Sequence, residues 1–92
     1  MAIEVRIPTI LRTYTGGEKA VDASGATLGA LVDDLEANHP GIKERLVEDS
    51  GELRRFVNVY VDDEDVRFTG GLGTSVADGD QVVVLPAVAG GA

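Results

Sequence analysis

The residues most able to take part in chemistry lie at the carboxyl end of the chain. After an apolar run that ends at Leu85, the sequence continues Pro86-Ala87-Val88-Ala89-Gly90-Gly91-Ala92, with no charged and no bulky polar side chain. Most chain termini are simply frayed ends. This one is kept extended by its proline, is uncharged in an acidic protein and places two glycines at its tip. We therefore interpret it as a functional tail.

The rest of the chain is poor in catalytic groups. There is no cysteine, which excludes disulfides, thiolate zinc sites, cysteine-ligated iron–sulfur clusters and cysteine nucleophiles, and the single His39 cannot build a histidine metal site alone. The acidic run 62–65 lacks the spaced ligands of an EF-hand loop, and the glycines of 70–73 are not followed by the lysine of a phosphate-binding loop. The segment 49–51 is only faintly similar to a phosphopantetheine attachment site, which requires a helical bundle. We predict solvated loops and no metal site.

Composition restricts the class of protein. Ninety-two residues, 43% hydrophobic and 26% charged, are typical of one globular domain. Eight basic against 16 acidic residues give a net charge of −8, the wrong sign for binding a nucleic-acid backbone. Residues 1–6 carry charges where a secretory signal would be apolar, and no stretch approaches the length of a membrane span. We expect a cytoplasmic protein with no nucleic-acid and no membrane partner.

The first part of the chain predicts a hairpin over residues 2–23. Ile3, Val5 and Ile7 alternate with charged residues, which is typical of a strand with one buried face. Gly16-Gly17 is a turn signal, and residues 18–23 offer a second short strand.

A helix is predicted next. Thr27 is suited to cap its start, and a stripe of apolar residues follows at helical spacing: Leu28, Leu31, Val32 and Leu35. His39-Pro40-Gly41 should end the helix because proline cannot continue its hydrogen bonds. Residues 42–47 predict one more short helical turn.

The second half predicts three strands. Val57, Val59 and Val61 alternate clearly, residues 62–65 form an acidic turn, 66–68 a minimal strand and 70–73 a loop. After a tight turn at Asp78-Gly79, residues 81–85 are apolar on both faces, as expected of a strand paired on both sides. We place this last strand at the sheet centre, parallel to the first, which gives an α+β roll with one main helix on a mixed five-stranded sheet.

This order of elements, together with particular segments, resembles a known family. The segments 78–80 and 85–91, before and after the last strand, are similar to those of the ubiquitin-like sulfur carriers of the MoaD and ThiS type. Three further segments, 5–12, 34–38 and 56–61, are similar to the branch of that family used in cysteine biosynthesis. The resemblance covers the whole chain and implies a β-grasp domain over residues 1–86 and a flexible Gly-Gly tail over 87–92.

The resemblance also implies a chemistry. An E1-like adenylating enzyme, using ATP and magnesium, would activate the carboxylate of Gly91, and a sulfur donor would displace AMP to leave a thiocarboxylate. Val88, Ala89 and Gly90 would supply the reach of the tail, since glycine has no Cβ to obstruct a narrow tunnel. The carrier would not be an enzyme and would hold no cofactor. Its sulfur-accepting synthase would use PLP if the product is cysteine, with a JAMM-type zinc metalloprotease releasing that product.

The chain departs from the family pattern at one position, because Ala92 follows Gly91. The glycine carboxylate is then not free to react. Either a protease trims Ala92 first, or Ala92 was added when the gene was cloned.

The strand alternation also predicts a docking surface. If the valines of 57–61 face the helix, Tyr60 points outward, and Val83 and Leu85 share that outer face. Apolar side chains grouped on an open sheet face, with Pro86 beside them, indicate a surface for a partner protein.

Two other functions stay open from the sequence. The chain could be a protein modifier whose Gly91 is joined to lysines on targets, or a β-grasp interaction module without covalent chemistry. For a sulfur carrier, the acceptor pathway is equally open among cysteine, molybdopterin, thiamine and secondary metabolites.

Overall fold

A computed structural model describes residues 3–55 and 57–86 of the chain. Its regular elements, in chain order, are β1 (Ile3–Arg6), β2 (Ala20–Ala23), α1 (Leu28–Asn38), α2 (Ile42–Leu46), β3 (Val57–Val61), β4 (Glu64–Asp65) and β5 (Gln81–Pro86). Short 3₁₀ segments occur at Thr9–Thr15, Val66–Phe68 and Gly71–Gly73. The strands form one mixed sheet in the order β2-β1-β5-β3-β4. The predicted α+β class, with a mixed five-stranded sheet and one main helix, is confirmed.

The last strand lies at the centre of the sheet, as its two apolar faces predict. β5 pairs parallel to β1, with Val82 opposite Val5, and antiparallel to β3, with Val84 opposite Val59. All four of these valines are buried. The strand that leads into the tail is therefore held by hydrogen bonds on both sides.

One helix covers the sheet, with the predicted face inward. The Thr27 hydroxyl accepts a hydrogen bond from the Ala30 N–H at 3.2 Å, which satisfies one of the amides left without a partner at a helix start. The helix ends at Asn38, directly before His39. Its four buried residues are those of the apolar stripe: Leu28, Leu31, Val32 and Leu35.

Replacement of Leu35 by alanine tests this packing. Leu35 is 1% exposed. Leu35→Ala should lower the free energy of unfolding by about 2–5 kcal/mol, because it removes buried apolar surface and leaves a cavity under α1. That is a large share of the roughly 5–10 kcal/mol expected for a domain of this size. Urea titration measures the change, and an unaltered midpoint would mean that α1 packs through another face.

The short helix predicted after Gly41 is confirmed as α2, and a carboxylate from α1 caps it. Glu36 accepts hydrogen bonds from the backbone N–H of Gly41, at 3.1 and 3.0 Å to its two oxygens, and from that of Lys43 at 2.9 Å. Gly41 has a φ of 99°, a conformation that favours glycine. The two backbone N–H donors, that of Gly41 first, lower the pKa of Glu36 below its ordinary value.

Glu36→Gln should therefore destabilise the domain in a pH-dependent way. A carboxyl whose pKa is lowered by folding contributes stability that is present above its unfolded-state pKa and is lost as the pH falls through its folded-state pKa. We expect the urea midpoint of the variant to lie below that of the parent at neutral pH and the two midpoints to converge in acid. A difference that stays constant down to acid pH would show that the carboxylate charge is not the stabilising feature.

The predicted minimal strand at 66–68 is wrong, because Val66–Phe68 is a 3₁₀ turn and the short strand β4 lies two residues earlier. In a strand, Val66 and Phe68 would share one face, yet Val66 is 0% and Phe68 88% exposed. The Asp65 carboxylate accepts from the Arg67 N–H at 2.9 Å and caps the turn. Because of the Asp65 cap and the burial of Val66, residues 66–68 form a turn and the strand lies at Glu64–Asp65 instead.

Two other expectations need smaller corrections. The strands of the first hairpin pair antiparallel, Ile3 opposite Ala23, but the second begins at Ala20 and the connection contains the 3₁₀ segment Thr9–Thr15. Leu11 of that segment is buried in the core, which an alternating pattern does not reveal. The predicted loop 70–73 ends in a 3₁₀ turn over its last three residues.

Candidate functional site

The outer face of the sheet carries three apolar side chains near the end of β5. Tyr60 of β3 lies directly opposite Val83 of β5, and Arg6 of β1 lies opposite Val83 on its other side. Tyr60 and Val83 are half-buried, and Leu85, further along β5, is 45% exposed. We call these three side chains, Tyr60, Val83 and Leu85, the outer patch. Their neighbours Val59, Val82 and Val84 are buried, so the alternation puts the outer patch on the other face of the sheet, and its role in docking stays a prediction.

The end of β5 marks where the predicted tail begins. The backbone of Pro86 is still in the sheet, opposite Val57 of β3. The tail residues singled out from the sequence, Val88, Ala89, Gly90, Gly91 and Ala92, lie outside the described residues, as does the boundary between domain and tail. Their roles remain predictions.

Two shallow grooves flank the end of β5. The first is lined on its apolar side by Ile10, Leu11, Val57 and Leu85, and on its polar side by Arg45 and Arg54. The second shares Leu85 with the first and is lined on its polar side by Arg6, Arg12 and Lys19. Among the described residues, no acidic side chain lines either groove.

These five basic residues, Arg6, Arg12, Lys19, Arg45 and Arg54, are a feature that sequence reasoning missed. We call them the basic cluster. They come from five separate segments of the chain, so no continuous sequence motif indicates that they form a cluster. They line two neighbouring grooves because β1 and β5 run parallel and both end near the start of β3.

The acidic run 62–65 is used within the fold. Asp62 and Asp63 form the turn between β3 and β4, with positive φ values of 49° and 73°. The Asp62 carboxylate accepts from the Gln81 N–H at 3.0 Å and so ties this turn to the start of β5. Within residues 3–55 and 57–86, no three histidine, cysteine, aspartate or glutamate side chains are grouped as metal ligands would be. His39 lies at the C-cap of α1 and lines neither groove.

The described part of the chain contains no helix long and apolar enough to cross a membrane.

Comparison with solved structures identifies the fold. The crystal structure of Mycobacterium tuberculosis CysO matches with a TM-score of 0.91 and 65% identity, over 94% of this chain and 99% of that one. The CysO match defines the fold as the ubiquitin-like β-grasp. A crystal structure of the BexX/CysO complex from Amycolatopsis orientalis matches equally well, with a TM-score of 0.91 and 62% identity over 97% of this chain and 99% of that one.

Sequence comparison identifies the family. The model of the ThiS family matches residues 5–91, and the chain belongs to that family. It is a homologue of the sulfur carrier protein CysO of Mycobacterium tuberculosis, 66% identical over 99% of this chain and all of the relative. It is also 38% identical to small archaeal modifier protein 3 of Haloferax volcanii, over 99% of this chain and all of that relative. The chain is a small carrier-type protein and not an enzyme.

Proposed function

We propose that the chain carries sulfur as a thiocarboxylate on Gly91. An E1-like enzyme with bound magnesium and ATP would convert the carboxylate into an acyl adenylate and release pyrophosphate. A sulfide sulfur would then attack the carbonyl carbon, and AMP would leave. The observation that supports this most is the near full-length identity with a sulfur carrier, which extends through the family match to Gly91.

The described geometry suits such a role because it holds firmly the strand from which the predicted tail continues. β5 is paired with β1 as far as Val83 and with β3 as far as Pro86, so the point from which the tail continues is fixed in the sheet. The chain has no cysteine and therefore cannot attack its own acyl adenylate or thiocarboxylate with a thiol. The carrier would contribute reach, and the activating enzyme would contribute catalysis and bind the ATP. Because the reaction consumes ATP, we propose that it takes place in the cytoplasm.

Cysteine is the product that the resemblance favours. A PLP-dependent synthase would accept the sulfur on an activated serine, and a JAMM-type metalloprotease would release the amino acid from the carrier. The support is the 66% identity with CysO, together with the weaker identities to molybdopterin synthase sulfur carrier subunits, 32% for the one from Emericella nidulans. The carrier itself would hold no cofactor.

A thiol-directed dye tests the proposal sharply, because the chain has no cysteine that could react with it. The chain ending at Gly91 is incubated with the activating enzyme, Mg-ATP and sulfide, and is then treated with an iodoacetamide dye. We expect one dye per chain, dependent on both ATP and sulfide. Absence of dye from a chain that consumes ATP would contradict the proposal.

A protein modifier is the second candidate, favoured by the 38% identity with an archaeal modifier protein. The two functions share activation and differ in the nucleophile, a sulfide or a lysine amine. An amino-terminally tagged chain in extract of its own cells with ATP distinguishes them. A ladder of tagged bands that resists reductant indicates a modifier, and a single band that takes up the dye indicates a sulfur carrier.

The outer patch should dock the activating enzyme. Leu85→Glu should weaken binding more than about tenfold, because it places a charge against an apolar surface without a compensating partner, and Tyr60→Ala should weaken it through lost contact. Phe68→Glu is the matched control, since Phe68 is 88% exposed and lines neither groove. Circular dichroism checks the fold. Wild-type affinity in both patch variants would place the docking surface elsewhere.

A further inference from the structure

Among the described residues, basic and acidic side chains are concentrated at opposite ends of the central strand β5. Of the eight lysines and arginines, five form the basic cluster where β1 and β5 end. The opposite end of the sheet, where β3 ends and β5 begins, carries an acidic group from two turns and the start of β4. These residues, which we call the acidic edge, are Asp62, Asp63, Glu64, Asp78 and Asp80. A protein with net charge −8 thus presents a basic surface at one place, around the start of its tail.

Three of the four arginines of the basic cluster are held in place by neutral oxygens. Arg12 donates from Nε to the Ile7 carbonyl at 3.1 Å, Arg45 to the Tyr14 hydroxyl at 2.7 Å, and Arg54 to the Glu44 carbonyl at 2.6 Å. Each guanidinium is thereby oriented by one N–H group. Its two terminal nitrogens form the fork that binds a carboxylate end-on.

Arg12, Arg45 and Arg54 form no ion pair with a carboxylate among residues 3–55 and 57–86, although the Glu44 carboxylate acts electrostatically on Arg45. The ion pairs of that part of the chain join Arg6 to Glu4 at a loose 3.9 Å and Lys43 to Asp33 at 2.6 Å. These three guanidinium groups lack a salt-bridged carboxylate in a chain that has twice as many acidic as basic residues. Beside them lies exposed apolar surface, since Ile10 is 68% and Leu85 45% exposed.

We infer that the basic cluster binds an acidic surface of the activating enzyme, in which carboxylates surround an apolar side chain that enters the groove between Ile10 and Leu85. The positive charge of the cluster favours an acidic partner surface, and its position beside the end of β5 favours the enzyme that must receive the tail. The acidic edge repels such a surface while the basic cluster attracts it, so encounters begin at the end of β5, where the tail starts. The inference rests on the proposed function, because it names the surface of that partner.

The test measures binding of the full chain to the purified activating enzyme without ATP, over a range of NaCl concentrations. The double variant Arg45→Glu with Arg54→Glu should bind more than about tenfold more weakly than the parent at low salt and should lose most of the salt dependence. Arg55→Glu with Lys43→Glu is the matched control, because it changes the net charge equally at positions that line neither groove. Urea midpoints of all variants check that the domain folds.

A second variant separates orientation from charge. Tyr14→Phe removes the hydroxyl that holds Arg45 and leaves the net charge unchanged. We expect a smaller loss of affinity than in the double variant, with salt dependence retained. If the fold of the double variant is damaged, this variant still tests the inference, and affinity equal to that of the parent would count against it.

The outcomes separate the two proposals. If the parent is adenylated and the double variant binds as well as the parent, the basic cluster has no role in docking and the proposed function stands. If no activating enzyme binds or adenylates the parent, both proposals fail. If the parent instead forms salt-sensitive dimers in sedimentation that the double variant does not form, the basic cluster binds the acidic edge of a second copy and the inference is wrong.

Discussion

ATP–pyrophosphate exchange is expected from the chain that ends at Gly91 and not from the chain that ends at Ala92. Exchange requires that the terminal carboxylate reversibly displaces pyrophosphate from ATP, so it reports adenylation alone. In the longer chain the carboxylate belongs to Ala92, one residue beyond the glycine that the family activates. We expect its rate to fall to background.

Two separate physical effects contribute to this difference. The extra residue displaces the Gly91 carbonyl from the ATP phosphate, and the alanine adds a methyl group where a narrow tunnel accommodates glycine. A chain that lacks Ala92 and carries Gly91→Ala keeps the length and adds only the methyl group. Exchange by this chain would assign the effect to length, and loss of exchange would assign it to the side chain.

Equal exchange by the chains ending at Gly91 and Ala92 would contradict the requirement for trimming. Ala92 would then be a tolerated extension. Exchange by the Gly91 chain alone would imply a protease in the source cell that removes Ala92, and conversion of the longer chain in cell extract could then be followed by intact mass.

Deletion of Gly91 together with Ala92 should abolish activation and leave the domain folded. Among the described residues, the buried core side chains lie between Ile3 and Val84, and we expect removal of the last two residues to leave this core in place. Activation should fall to background because the chain then ends at Gly90, one residue short of the ATP phosphate.

The matched control is the deletion of Ala92 alone, which should activate fully. Both truncated chains should unfold at the urea midpoint of the parent, in contrast to Leu35→Ala. Adenylation of the chain that ends at Gly90 would contradict the assignment of Gly91. A fall in midpoint as large as that of Leu35→Ala would show that the last residues belong to the core.

Elements that bury one apolar face could be predicted from the sequence. The stripe from Leu28 to Leu35 placed α1, and the alternation of residues 57–61 placed β3, because in each case the period of burial equals the period of the element. The central position of β5 followed from residues 81–85, which are apolar on both faces.

Segments fixed by local caps or distant contacts could not be predicted. Val66–Phe68 has the composition of a strand, but the Asp65 cap and the burial of Val66 alone produce a 3₁₀ turn. The segment Thr9–Thr15 buries Leu11 without a recognisable period. The basic cluster depends entirely on topology. Arg12 and Arg54 are far apart in the sequence, and only the fold places them beside the same end of β5.

The outer patch and the basic cluster adjoin at Leu85, a residue of the outer patch that lines both grooves. Apolar contact through Tyr60 and Leu85 would supply affinity, and the arginines would supply orientation and rate of association. Variants of the two surfaces should therefore differ in salt dependence: Tyr60→Ala should weaken binding at all salt concentrations, whereas reversal of Arg45 and Arg54 should matter most at low salt.

The most direct test of sulfur transport is the intact mass of the chain ending at Gly91 after incubation with the activating enzyme, Mg-ATP and sulfide. We expect the mass to rise by the difference between one sulfur and one oxygen atom, with fragmentation placing the change at Gly91. Omission of ATP or of sulfide should leave the mass unchanged. An unaltered mass under conditions in which the same chain supports pyrophosphate exchange would show that the chain is activated but does not carry sulfur.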